Sequence, residues 1–166
     1  MTADGADIDK TALAIYQRHL DAVTDALLRG DYDTFGQYFV FPHYVVTLSD
    51  HFVIEDPQTQ RVYFRQYYDA LRTEGVTGLI RIARGARFKS DTVICGRHES
   101  HRMRHGLRVA PPYLNRVRLL RGSDGSWREY LAANALINRS GAFAFLSIED
   151  GAPLPDLPTD FERKPK

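Results

Sequence analysis

The sequence contains a single cysteine, Cys95, among 166 residues, so no disulfide can form within the chain. A reducing cytoplasm is therefore the expected compartment. The opening MTADGADIDK has neither the basic nor the apolar stretch of a secretion signal. No apolar run approaches the roughly 20 residues needed to cross a bilayer. Charge of one sign is lacking too: 22 Lys and Arg against 21 Asp and Glu leave a net +1, which argues against a dedicated nucleic-acid binder. A glycine-rich phosphate loop, a CxxC pair and a helical HExxH are all absent, so the motifs require no nucleotide, cofactor or metal, and none is assigned. What is present is an ordinary globular profile, 43% hydrophobic and 26% charged, of a size that fits one domain.

Apolar residues Ile8, Ala12, Ile15, Val23 and Leu27 recur every three or four positions, which predicts an amphipathic helix over 8–28 that Gly30 stops. Asp31 is placed to cap a short second helix from Tyr32 to Phe39. Beyond Pro42 the β-branched run from His43 to Leu48 and the segment from His51 to Glu55 form a hairpin across Ser49–Asp50. Asp56–Pro57 opens a third helix carrying Phe64, Tyr67, Tyr68 and Leu71, ended by Gly75. Four longer β-like runs follow, about 77–89, 91–105, 112–121 and 126–138, separated by turn residues and forming an antiparallel meander. The proline-rich tail GAPLPDLPTDFERKPK reads as a docked arm or as disorder. The expected organisation is a tail over 1–7, one domain over 8–138 and an extension over 139–166, partly disordered or docked.

Cys95 to Gly106, CGRHESHRMRHG, holds three histidines, three arginines and a glutamate. On a strand, His98, Ser100 and Arg102 share one face while Arg97, Glu99 and His101 share the other. HxxH therefore does not converge on a metal, which needs three or four donors.

The order helix, short helix, hairpin, helix and four long strands resembles the nuclear transport factor two-like (SnoaL-like) superfamily. "LLRGDYDTFGQYF" looks like its entry into the short helix, and "RGSDGSWREYLAANAL" like its final strand. The resemblance implies an α+β, cone-shaped fold with helices packed on a strongly curved, mainly antiparallel sheet. It places Val23 and Thr47 where the superfamily's steroid isomerases carry a tyrosine donor and an aspartate base. Neither is chemically competent, and only Asn115 matches a third group, as a hydrogen-bond donor. Steroid-type isomerisation by the same residues is not expected.

The same register turns His43, Val45, Thr47, His98, Ser100, Tyr113, Asn115, Val117, Tyr130, Ala132 and Asn134 into the cone. A slip of one residue would instead bring in Arg97, Glu99 and His101. His98 is the expected acid/base, with Asn115 and Tyr130 orienting a carbonyl. His43, Thr47, Ser100, Tyr113 and Asn134 would contact the ligand, and Arg102 would hold a carboxylate if the ligand bears one. His19 and the helix-three tyrosines Tyr63, Tyr67 and Tyr68 read as packing residues. Trp127, Leu131 and Ala133 are expected outside, on an apolar face that pairs two copies. The expected function is binding of a small hydrophobic or carboxylate-bearing molecule, with cofactor-free isomerisation, dehydration or cyclisation of an apolar carbonyl compound. The alternative is a non-catalytic binding or dimerisation module.

Overall fold

The computed structural model describes residues 9–138 and 146–158. Ile8, the 143–145 part of the PheAlaPheLeu run and the end of the tail lie outside them. Helix α1 spans Lys10–Leu28, with the Asp9 carboxylate accepting from the Thr11 and Ala12 amides. Helix α2 spans only Tyr32–Gly36, capped by Asp31. Helix α3 runs Pro57–Thr73, with Asp56 capping Thr59 and Pro57 in the first turn, the position where its missing N–H costs nothing. No described helix is long and apolar enough to cross a membrane.

The strands are β1 (Phe39–Val46), β2 (His51–Ile54), β3 (Gly78–Ser90), β4 (Val93–Arg104), β5 (Leu107–Arg108), β6 (Tyr113–Arg121), β7 (Trp127–Asn134), β8 (Ile137–Asn138) and β9 (Leu146–Ser147). The main sheet runs β2-β1-β7-β6-β4-β3, with β5 on β4, and β8 pairs β9 separately. The expected meander β3-β4-β6-β7 is present, and β1 joins it parallel to β7. β1 starts before Pro42 rather than after it, and its pairing with β7 is irregular between Phe39 and Tyr44. A proline lacks the N–H that a regular ladder uses, so it fits such an irregularity.

Helix α1 lies in the hollow of the curved sheet. Its Ala12, Tyr16 and Leu20 pack on Ala86, Ile94, Val117, Leu119 and Ala132 from four strands. A second cluster joins Leu27, Tyr32, Phe64, Leu71 and Leu79 where α1, α2 and α3 meet β3. Two polar contacts fix α1 over the irregular part of β3: Gln17 donates to the Arg81 carbonyl (2.9 Å) and accepts from the Ala83 amide (2.8 Å). They satisfy backbone groups on the free edge of β3, the last strand of the sheet.

On β7 the simple alternation fails. Arg118 faces Leu131 but Leu119 faces Glu129, so Tyr130 is an extra residue, a β-bulge. A bulge reverses the parity of what precedes it. Trp127 therefore points to the helix side, against α1 and the Phe88 ring, and not outward as alternation implied. Tyr130 and Leu131 both join the outer cluster with Val46, Val93 and Ala133. Leu157 of the tail packs on that cluster, and Leu131 and Ala133 are fully buried. Among the described residues, the large apolar side chains left exposed on the outer face are Ile80, Ile82 and Leu114, of which Ile82 and Leu114 flank Glu99 across β3, β4 and β6.

Candidate functional site

Between α1, α2, α3 and the sheet lies a partly open cavity of about 120 Å³. A cavity near 150 Å³ lined by apolar groups holds a benzene ring, so this one suits a ligand of about one ring. Leu20, Val23, Leu27, Phe35, Phe39 and Phe64 supply much of its apolar wall. Three sets of polar groups stand in or beside it.

The first set is centred on Glu129. The carboxylate is buried between two imidazoles, accepting from His19 Nε2 at one oxygen and His43 Nε2 at the other, each at 3.0 Å. Burial on its own would raise the carboxyl pKa, but the hydrogen bonds from His19 and His43 outweigh it and hold the group at about 2. Glu129 is thus ionised at neutral pH. The Nδ1 atoms of both histidines are buried without a hydrogen-bond partner. Aromatic edges from Tyr38 and Phe39 fix the His19 ring, and Phe39 also meets His43 edge-on.

The second set is His98 with Tyr16, whose hydroxyl lies 2.6 Å from His98 Nδ1. Burial, reinforced by the charge of Arg81, lowers the His98 pKa to about 3. Burial, with Glu129 adding to it, raises the Tyr16 pKa well above the usual value. A neutral imidazole beside a phenol that keeps its proton is satisfied when Tyr16 donates to Nδ1, which leaves the His98 proton on Nε2. Gly96 makes the contact possible: a Cβ there would lie 2.5 Å from the Tyr16 ring. Tyr16→Phe is expected to cost about 1–3 kcal/mol, because it strands a buried acceptor. Urea unfolding checks this, and the tautomer change it releases at His98 is visible by nitrogen NMR.

The third set is Arg81, Tyr67 and Tyr113. Burial would raise the Tyr67 pKa, but the charges of Arg102 and Arg81 outweigh it and the net shift is down. Tyr113, buried beside Tyr67, is pushed up to about 12. Side-chain hydrogen bonds join Tyr67 to Tyr113 and to Arg102.

His43, His98, Tyr113, Asn115 and Asn134 all stand in the cavity wall. Asn115 is differently disposed from the expected donor. Its amide nitrogen donates to Ser100 Oγ (2.7 Å) and the Tyr113 carbonyl (3.3 Å), so it offers the cavity its carbonyl oxygen. Ser100 is fully buried behind it and is not in the wall. Tyr130 is turned away by the bulge. Thr47 lies outside the wall, its hydroxyl bound into the turn with Ser49 and Asp50. Arg102, expected to hold a carboxylate of the ligand, is instead paired with Glu74 at 2.8 Å behind the tyrosines. Arg97, Glu99 and His101 are on the other face of β4. There His101 Nε2 approaches Glu99 Oε1 at 2.7 Å, without hydrogen-bond alignment. Among the described residues no group of three His, Cys, Asp or Glu is disposed to hold a metal. Glu129, Tyr16 and Arg81 were not singled out from the sequence, although an acid and a base inside the apolar runs WREYLAAN and GLIRIA are visible as anomalies.

No protein-family model matches the chain, and no curated protein matches it. Solved structures do. A domain of unknown function with a cystatin-like fold from Nostoc punctiforme superposes with a TM-score of 0.60 at 14% identity, covering 76% of this chain and 78% of that one. A nuclear transport factor two-like protein of unknown function from Shewanella oneidensis gives 0.58 at 12% identity, over 74% and 97% of the two chains. A ketosteroid isomerase-like protein from Erwinia carotovora gives 0.54 at 16%, over 76% and 97%. The fold is therefore the nuclear transport factor two-like, cystatin-like α+β cone.

Proposed function

We propose that the protein binds a small, mainly apolar carbonyl compound in the cone and moves a proton within it without a cofactor. The observation that carries this reading is the ionised Glu129 held between two imidazoles in the wall of an apolar cavity that also contains neutral His98. A carboxylate bonded at both oxygens and held at about 2 is a poor base. Its role is to orient the imidazoles and stabilise the positive charge that one of them gains. His19 or His43 takes a proton from the carbon next to the carbonyl; the C–H electron pair forms a C=C bond and the C=O π pair moves onto the oxygen. His98 Nε2–H hydrogen bonds that oxygen as it gains charge. In a substrate with a C=C bond beyond that carbon, the same imidazole returns the proton at the far end of the double bond, which moves into conjugation with the carbonyl, so isomerisation closes with no co-reactant.

Pairing of two copies through Ile80, Ile82 and Leu114 on the outer face belongs to the same proposal. Deuterium uptake next to the carbonyl of cyclohexanone in heavy water, followed by proton NMR, tests the chemistry. Uptake faster than in buffer, and lost in at least one of His19→Ala and His43→Ala, is the expected result. Uptake no faster than with denatured protein would leave the cavity as a binding or packing device only.

A further inference from the structure

Arg81 is the cation of the cavity wall. Its position is set by the backbone: Gln17 of α1 holds the Arg81 carbonyl, and alternation along β3 sends Ile80 and Ile82 outward and Arg81 inward. Its guanidinium is poorly spent. Nη1 donates to Thr24 Oγ1 at 3.3 Å, and Nε is buried with no hydrogen-bond partner. Glu129 is taken by the two histidines and Glu74 by Arg102, so among the described residues no carboxylate pairs with Arg81. A guanidinium carries five donors in a fixed fork, and leaving a buried one unmatched at a cavity wall, as Nε is here, is costly unless a ligand completes it.

We propose that the ligand bears an anionic oxygen, a carboxylate or the enolate or phenolate of a ring, and that Arg81 binds it. This rests on the small-molecule reading of the cavity and narrows it. The cavity is then divided by charge. Arg81 stands with the hydroxyl-bearing Tyr67 and Tyr113, whose ionisation its charge favours, and the Glu129 carboxylate with its histidines forms a separate group in the same wall. A one-ring ligand with its oxygens on Arg81 would present its ring to the apolar wall.

Benzoate and its neutral isostere benzamide are the probes, titrated calorimetrically into the full chain. The parent is expected to bind benzoate roughly ten- to a hundredfold more tightly than benzamide, the range for a charge-assisted pair. In Arg81→Gln, with an unchanged circular dichroism spectrum, the ratio is expected to fall to near one while benzamide binding is kept. Benzamide bound as well as benzoate by the parent would overturn the anion proposal and leave the cavity reading standing, and this comparison needs no variant. A benzoate preference surviving in a folded Arg81→Gln would also overturn it. Binding of neither probe by the parent would count against both.

Discussion

Glu129→Gln is expected to be the most damaging single change in the site. The carboxyl pKa is about 2 in the folded protein against an ordinary 4.5. That difference amounts to about 3 kcal/mol of stabilisation. Because the folded pKa is depressed, this stabilisation is fully present above the unfolded value and is lost as pH falls through 4.5 towards 2. Glutamine keeps one acceptor but turns an N–H2 towards an imidazole Nε2, so one of the two bonds is broken or its tautomer reversed. The variant should lose on the order of 3 kcal/mol at pH 7 by urea unfolding. Its gap to the parent should narrow as the pH is lowered from 5 to 3. Deuterium uptake into cyclohexanone should fall with it. A gap independent of pH would show that packing, and not the charge, is what Glu129 contributes.

Gly96→Ala is expected to cost about 3 kcal/mol, near the upper end for overpacking, although it adds one methyl group. The new Cβ would sit 2.5 Å from ring carbons of Tyr16, which is fully buried. Relief requires α1 to lift from β4, and α1 carries Tyr16, His19, Leu20 and Val23 into the core and cavity. The pair should be strongly non-additive: Tyr16→Leu in the Gly96→Ala background should restore part of the stability. It should not restore the fixed tautomer of His98, because no hydroxyl remains opposite Nδ1. Additive costs in the double variant would mean that Gly96 acts through the backbone and not through the ring above it.

Much of the fold was legible because the local signals agree with one another. Asp9 caps α1 one residue inside the expected start at Ile8, Asp31 and Asp56 cap the next two helices as read, and Gly30 adopts φ 67° just beyond the end of α1. Alternation along β4 and β6 put His98, Tyr113 and Asn115 on the inner face because those strands pair without a shift from Val93 to Ser100. The same alternation misassigned Tyr130 and Trp127, since counting back in twos from Asn134 steps over a bulge that no glycine or proline marks. That one residue also hid Glu129 and, with it, the reason His19 stands on the apolar stripe of α1. Its partner is 110 positions away in sequence, a pairing that only the closed cone creates. Arg102, and not Arg81, was read as facing the cavity for a similar reason. Both are arginines on inner strand faces, and what separates them is Glu74 at the end of α3, which pairs with one and not the other.

The most direct measurement is a pH series of long-range proton–nitrogen spectra on protein labelled with nitrogen-15 in histidine. His98 should stay neutral with its proton on Nε2 from pH 8 down to about 5, in keeping with a pKa of about 3, and Tyr16→Phe should release that tautomer. A His98 ring that titrates near 6.5, or that carries its proton on Nδ1, would contradict the arrangement of Tyr16, His98 and the cavity described above.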